Sequence, residues 1–455
     1  MKRKNSLFSQ RPKTKTPKPV KKSKTDDSDS VTIERLSHEG RGVAKLGGKT
    51  LFIEGALPGE RVSFTITQKH RRYDEAVCNE VLEASSARTN PLCQHYGQCG
   101  GCDLQHLSHE QQITTKQELV IDQLKRLGSF QPENIITPLI SPEWNYRRSC
   151  RIGINQLMRD GSAIVGFRRR GSNKLTPIHN CPVLAEPLNN IIQKLPEILE
   201  AEDNFKTITH AELSLADNQG AITIRAMKPL TSSLMNAFKS LATDNHFSLF
   251  IDNGSTLESC SDNNELIYKI ASTQTEISYK PGDFIQVNST VNEKMISRAI
   301  EWLHLSKTDR ILDLFCGIGN FTLPVAAYVD SIVGVEGVEE MVERANQNAI
   351  RNRLTNSNFY RADLSKDMRS LPWYKQGFNK IILDPPRAGA LEIIKQLDTH
   401  NPEMILYISC NPAALARDGS ELVKQGYRAD KFCVMDMFPH TSHVESMMLF
   451  VKSDA

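Results

Sequence analysis

From Val31 to about Ser85 apolar residues alternate with polar ones in short runs broken by glycine: VTIERL, then GRGVAKLGGKTLFIEGALPGERVSFTI, then EAVCNEVLEA. That two-residue period, with tight turns at Gly47-Gly48 and Pro58-Gly59, predicts a small all-β barrel, OB-like in type. At residues 109–128, HEQQITTKQELVIDQLKRLG, the period becomes helical and stops at a glycine. Residues 145 to 290 then mix strands (SCRIGIN, AIVGFRRR, AELSLA, AITIRAM, LIYKIA) with helices such as LAEPLNNIIQKLPEILEA, the pattern of an α+β domain. From about Val291 strand and helix alternate strictly. The strands are RILDLFC, SIVGVE, NFYRAD, NKIILDPP, MILYISC, KFCVMDMF and VESMMLFV, with helices VEEMVERANQNAIRN and NPAALARDGSELVKQG among them. Alternation predicts a mostly parallel, doubly wound α/β sheet, Rossmann-like, closed by an antiparallel pair where the last two strands follow without a helix. The chain thus divides into a tail (1–30), a barrel (31–86), a central α+β domain (87–290) and a C-terminal α/β domain (291–455). The helix at 109–128 is a candidate to pack on the last of these, and no solenoid-type repeat is present.

Length and composition fit this division: 455 residues are enough for roughly three domains. A hydrophobic content of 39% with 24% charge is that of a folded protein. The start, MKRKNSLFSQRPKTKTPKPV, lacks the apolar stretch of a secretory signal, and no run approaches the length of a membrane span, so a cytoplasmic location without membrane attachment is expected. In that reducing setting ten cysteines read as metal-binding, catalytic or buried thiols. The net charge of +3 hides an asymmetry. Residues 1–30 hold ten Lys or Arg against three Asp, a balance of +7, which leaves −4 for the rest. A tail of this composition is expected to be disordered and to suit polyanions. Lys69, His70, Arg71, Arg72 and Tyr73 form a second basic cluster and Arg168, Arg169 and Arg170 a third; each fits either an RNA contact or a solvated turn.

Ligands of open α/β sheets lie at the carboxyl ends of the strands. The first such end reads Asp313-Leu-Phe-Cys-Gly317-Ile-Gly319-Asn320-Phe321. A dinucleotide loop would place a third glycine where Thr322 stands, so the loop need not cradle a pyrophosphate and suits S-adenosylmethionine. Seventeen residues after Gly319, Glu336 ends the second strand, where a carboxylate can accept both ribose hydroxyls. Asp363 ends the third, near an adenine amino group. Cys316 reads as a packing residue.

The fourth strand ends in Asp384-Pro385-Pro386-Arg387-Ala388-Gly389, a form found in enzymes that methylate nucleobases, with Arg387 where amino methyltransferases carry an aromatic. The fifth ends in Ser409-Cys410-Asn411-Pro412, a thiol at the ligand edge and at a helix start, where the dipole favours thiolate. Such a thiol suits methylation of uracil at C5, an atom too weakly nucleophilic until a thiolate adds at C6. A base must then remove the C5 proton, and Glu445, in His440-Thr-Ser-His443-Val-Glu445-Ser, is the candidate. His440 and His443 read as loop residues.

PLCQHYGQCGGCD crowds Cys93, Cys99 and Cys102 into ten positions. A tetrahedral site requires a fourth ligand, for which Cys78, Cys150, Cys181 and Cys260 are available. Cys78 and Cys150 lie in alternating strands and Cys260 before a polar loop, whereas Cys181 precedes Pro182, a pairing that recurs in iron-sulfur runs. Spacing alone leaves zinc and an iron-sulfur cluster both open.

Taken together, DLFCGIGNF, DPPRAG, SCNP and HVES resemble the RNA uracil-5-methyltransferase family, from about Val31 to the C-terminus. The barrel resembles a TRAM domain, and the cysteine stretch resembles the iron-sulfur segment of the members that act on 23S ribosomal RNA. The resemblance implies a class I methyltransferase domain using S-adenosylmethionine. It implies that Gln286, in Gly-Asp-Phe284-Ile-Gln286-Val-Asn288, reaches the cofactor together with Phe315, Asn320, Glu336 and Asp363. It implies that Asp384 lies beside substrate and cofactor, that Cys410 is the nucleophile and that Glu445 is the base. It also implies a 4Fe-4S cluster on Cys93, Cys99, Cys102 and Cys181, giving an iron-sulfur central domain. The expected partner is 23S rRNA or a pre-ribosomal particle, with no obligate protein partner. A dual-site rRNA enzyme of the same family and a non-catalytic iron-sulfur RNA-binding protein are the rival readings.

Overall fold

The structure, a computed structural model, describes residues 30–453 apart from Asn263. The expected basic tail lies outside the described residues except for Ser30. The chain separates into two compact units, one of them residues up to Ser86 without His38–Gly40, the other the remainder.

The first unit is a six-stranded sheet. Ser30–Thr32 pairs with Arg61–Lys69, followed in order by Tyr73–Glu83, Lys49–Glu54, Gly42–Leu46 and Arg35–Leu36. All neighbours are antiparallel except Lys49–Glu54 with Tyr73–Glu83. The alternation buries Ile33, Ala44, Leu51, Ile53, Val62 and Phe64 as one core. At the hairpin tip Gly47 and Gly48 take φ of 55° and 81°, a pair of positive values that a two-residue turn requires and glycine supplies without strain.

In the second unit a seven-stranded sheet runs Leu175–Pro177, Ala163–Arg168, Ser149–Gln156, Ile208–Leu215, Gly220–Ala226, Phe247–Asp252 and Leu257–Ser259. Gly220–Ala226 and Phe247–Asp252 are parallel, and helix Ser232–Asp244 makes the crossover such a pair needs. The apolar stripe of helix Glu186–Glu200 (Leu188, Ile191, Ile192, Leu195, Leu199) packs with Ile152, Leu213 and Ile224 of the sheet.

The C-terminal sheet has eight strands in the order Ser357–Arg361, Ser331–Glu336, Arg310–Leu314, Lys380–Leu383, Met404–Ser409, Glu445–Lys452, Tyr427–Met435 and Asn134–Ile135. The first five are parallel, and Glu445–Lys452 is antiparallel to both its neighbours, as the missing helix predicts. The edge strand Asn134–Ile135 comes from much earlier in the chain. Helix His109–Gln123 and its π-helical end Leu124–Gly128 precede it. Val120 and Leu124 are buried with Leu415, Phe432 and Phe450 of the C-terminal domain, so this helix belongs to that domain's core. Gly128 permits the approach, since a Cβ there would lie 2.7 Å from the carbonyl oxygen of Ala416. Among the described residues no helix is long and apolar enough to cross a membrane.

Candidate active site

Strand register brings the predicted positions to one edge. Leu314 is level with Val335 and with Leu383, Leu383 with Tyr407, and Ser409 with Ser446. The residues that follow these ends, or precede them in the antiparallel strand, are the 315–319 loop, Glu336, Asp384, Cys410 and Glu445.

The loop is held open by its backbone. Phe315, Gly317 and Gly319 take φ of 66°, 56° and 98°. A Cβ on Gly319 would sit 2.8 Å from Leu323, whereas one on Gly317 would meet nothing within 4 Å, so the first glycine faces open space. Phe315 is not a glycine, and its conformation costs roughly 1–2 kcal/mol; its N–H donates to the Val335 carbonyl at 2.9 Å, which fixes it. Thr322, which replaces the third glycine of a dinucleotide loop, bonds through its hydroxyl to the buried Asp313 at 2.5 Å. It thereby ties the first strand to the helix Thr322–Ala326.

Glu336 accepts from the N–H groups of Gly317 (3.2 Å) and Gly337 (2.7 Å), placing its carboxylate against the loop. Asn320 and Asn292 exchange amide hydrogen bonds at 2.9 and 3.0 Å, and the Tyr268 hydroxyl donates to Asn320 at 3.1 Å. Arg148 lies over the Tyr268 ring, 4.5 Å from its centroid, and its Nε donates to the Gln286 carbonyl at 2.8 Å. Gln286 and Asn320, 34 residues apart in sequence, are therefore joined through two side chains. Asp363 differs from expectation: the third strand stops at Arg361. The exposed carboxylate then accepts from Ser365 at 2.6 Å within its own turn, which together with Lys366 holds its pKa low. Cys316 is buried, as a packing residue should be.

Cys410, Asp384 and Glu445 lie in one electrostatic neighbourhood and are each partly buried. Burial, then the charges of Glu445 and Asp384, push the Cys410 thiol up to about 11, with Arg387 opposing. The expected helix-dipole stabilisation of the thiolate is thus outweighed in the ligand-free protein. Asn411, not Cys410, caps helix Pro412–Lys424 by accepting from the Ala413 N–H, so the thiol stands one residue outside the helix end. Burial and then Asp384 push the Glu445 carboxyl up to about 8, against Arg387 and Lys116. Burial alone raises Asp384 to about 7.

His440 lies in a loop, as read, but is buried in it. It is 2% exposed, takes φ of 64° and stacks on Trp144 with 3.9 Å between centroids; its N–H donates to Gln112 Oε1 at 2.8 Å, and its Nδ1 lies 3.2 Å from Gln112 Nε2. Burial, then the nearby His109, lower its pKa to about 4. His443 instead meets Arg387 at 3.3 Å beside the site. Three residues that sequence reasoning missed adjoin this segment: Lys116 is buried and donates to Asp436 at 3.1 Å, with His109 on the other oxygen at 2.5 Å. The only sequence signal is that Lys116 occupies the face of Gln112 and Val120.

The charges of Cys93 and Cys99 act on both Cys102 and Cys181, so two segments 79 residues apart in sequence are neighbours, although among the described residues no three such side chains are placed to hold a metal ion. Cys99 is bridged to Arg169, and Gly100 donates to the Arg168 carbonyl at 2.9 Å. The Asn189 side chain clasps the backbone of Cys181 from both sides, at 2.9 and 3.1 Å. Of the other three candidates, Cys78 lies in the first unit and Cys260 packs on the core of the central domain, while Cys150 is buried in that core within reach of the charge of Cys181.

A methyltransferase fold with a thiol and two carboxylates of raised pKa beside its ligand loop defines a class, and comparison places the chain within it. The tRNA (Uracil-5-)-methyltransferase family profile matches residues 109–453 and the TRAM domain profile residues 30–77. The chain belongs to this family of S-adenosylmethionine-dependent uracil-5-methyltransferases, with a TRAM domain at its N-terminus. It is 41% identical over 429 residues, 94% of this chain and 93% of the relative, to a 23S rRNA (uracil(1939)-C(5))-methyltransferase RlmD of Pseudomonas fluorescens (strain Pf0-1). The RlmD of Xanthomonas axonopodis pv. citri (strain 306) is 42% identical over 93% of this chain and 97% of its own. Among solved structures, the Pyrococcus abyssi tRNA (uracil-54, C5)-methyltransferase in complex with S-adenosyl-L-homocysteine shares the fold, with a TM-score of 0.71 at 23% identity over 93% of this chain and 100% of the other.

Proposed function

We propose that this protein methylates C5 of the uridine at position 1939 of 23S rRNA in the cytoplasm, using S-adenosylmethionine, with Cys410 as nucleophile and Glu445 as base. The observation that carries the reading is the convergence of Cys410, Glu445 and Asp384 beside the Phe315–Gly319 loop. Identity of about 41% along nearly the whole chain to enzymes of that name supports the target. Gln286, Phe315, Asn320, Glu336, Asp363 and Asp384 are the residues proposed to hold the cofactor. Glu336 suits the ribose hydroxyls and the open side of Gly317 a close backbone approach. Asp363, exposed and bonded in its own turn, would have to exchange the Ser365 contact for the ligand.

When bound, S-adenosylmethionine supplies the methyl group as an electrophile. Addition of the Cys410 thiolate forms a bond to C6 and moves the C5–C6 pair into an enolate, so that C5 can take the methyl. Removal of the C5 proton by Glu445 returns the pair to C5–C6 and expels the thiolate. A carboxyl near 8 is a strong enough base for this while still ionising near neutrality. Arg387, which favours both ionised forms, faces them.

Cys93, Cys99, Cys102 and Cys181 are proposed to hold a 4Fe-4S cluster. The resemblance of the cysteine stretch to an iron-sulfur segment carries this reading, and the charges of Cys93 and Cys99 acting on both Cys102 and Cys181 support it; among the described residues no three such side chains are placed to hold a metal ion. The chemistry above needs no redox step, so the cluster's role here is structural. No protein partner is needed in this reading, and 23S rRNA or a pre-ribosomal particle is the substrate.

RNA containing 5-fluorouridine has no removable C5 proton and should trap the enzyme as a covalent methylated adduct. Cys410→Ala should form none, and an adduct with that variant would overturn the assignment. Glu445→Gln should accumulate the methylated adduct with ordinary uridine. Methylation at two separate rRNA fragments would favour the dual-site reading instead.

A further inference from the structure

Residues 436–444, which lead into Glu445, contain neither helix nor strand. A segment without its own hydrogen-bond ladder needs outside partners to hold one position. His440 within it is in the left-handed region, a conformation that persists in a non-glycine only where the surroundings impose it. Gln112, Lys116 and Tyr146 bond to its residues 438–440, and the partners nearest Glu445 come from the cysteine loop. The N–H groups of Asp103 and Leu104 both donate to the His440 carbonyl, at 2.9 and 3.0 Å. Two residues on, the Ser442 hydroxyl and N–H donate to Asp103 Oδ2, at 3.1 and 3.4 Å. The other carboxylate oxygen, Oδ1, accepts from Arg170 Nη2 at 2.7 Å, and the same nitrogen donates to the Cys102 carbonyl at 2.7 Å.

Asp103 therefore grips two things at once. One oxygen is fixed to the cysteine loop and the end of a central-domain strand, the other to the segment three residues before Glu445. We propose that Asp103, held by Arg170, is a positioning residue for Glu445, so that the cysteine segment sets the geometry of proton removal. This rests on Glu445 being the base. It assigns the cysteine loop a function in the last step of the reaction rather than in thiol addition, because the Asp103 contacts run to the Glu445 side of the site and not to Cys410.

The two halves of the reaction allow a direct test. Trapping by 5-fluorouridine RNA requires addition and methyl transfer only; turnover on ordinary RNA also requires proton removal. Asp103→Ala and the milder Ser442→Ala should trap fluorinated RNA at the wild-type rate. On ordinary RNA they should accumulate a denaturation-resistant methylated adduct and lose turnover by on the order of ten- to a hundredfold, the cost of a misplacement near 1 Å. Asp103→Asn keeps an acceptor for Ser442 and should recover part of that loss. Unchanged turnover in both alanine variants, or a parallel fall in trapping and turnover with no adduct, overturns the proposal. Should Asp103→Ala not fold, Ser442→Ala decides alone. If Glu445→Gln gives no adduct on ordinary RNA, the base assignment itself fails and the positioning role with it; if it does and the Asp103 and Ser442 variants do not, only the positioning role fails.

Discussion

Glu445 is the residue where structure and chemistry pull hardest against each other. Burial and Asp384 raise its carboxyl from 4.5 to about 8, which makes it a capable base but penalises its charged form. Folding therefore takes up a proton at this site, so the protonated state contributes stability at low pH that is lost as pH climbs from about 4.5 through 8. Glu445→Gln, which cannot ionise, should leave the melting temperature of the ligand-free protein unchanged at pH 5 and raise it by roughly 2 °C or more at pH 9. Equal shifts at both pH values would show that the site does not desolvate its carboxylate. Cys410 makes a second, separable prediction. Its thiol lies near 11, so alkylation by iodoacetamide should be slow at pH 7 and rise about tenfold per pH unit, accelerating when a cationic methyl donor is present. Both residues were legible from motif and strand-end position; the direction of the thiol's shift was not, because it depends on burial and on two carboxylates from other strands.

At the scale of elements, helix His109–Gln123 shows what periodicity can and cannot reveal. Its existence and its glycine stop are written in residues 109–128, yet its buried stripe is Gln112, Lys116 and Val120, two of them polar. Gln112 serves His440, and Lys116 serves Asp436 and the Phe438 carbonyl at 3.0 Å. A hydrophobicity pattern cannot see that pairing, since the partners lie more than 300 residues away. The edge strand Asn134–Ile135 escapes for a similar reason: two residues carry no period. Burial would raise the Asp436 pKa, but the His109 bond and the Lys116 charge outweigh it and hold it low, while the Asp436 bond raises His109. Lys116→Met should cost about 3 kcal/mol by stripping a buried carboxylate of one partner. The remaining partner, His109, stabilises only while protonated, so the variant should lose further stability as pH rises through the histidine's raised pKa. Chemical denaturation at pH 6 and pH 9 measures both effects, and a loss that is equal at the two would refute the pairing.

On the scale of the whole molecule the difficulty is one of charge. Residues 31–455 sum to −4, from +3 overall and +7 in residues 1–30, which by itself opposes a polyanionic substrate. Binding must then rely on local concentrations of positive charge, and the structure of the first unit allows one to be judged. In the turn after Arg61–Lys69, His70 stacks on Tyr73 at 4.4 Å, which fixes the turn, while Lys69, Arg71 and Arg72 remain exposed. The neighbouring Lys49 is committed to Asp74 at 2.7 Å and is not available in the same way. A rigid turn bearing three exposed cations differs from a merely solvated loop in one measurable respect: contacts with phosphates release counterions. Replacing Lys69, Arg71 and Arg72 together by alanine should reduce the slope of log affinity for rRNA against log salt by about two to three. Binding of S-adenosylhomocysteine should be unaffected, since none of the three is in the second unit, where the loop proposed for that ligand lies. An unchanged salt slope would mean that the turn is only solvated and that the polyanion is gripped elsewhere.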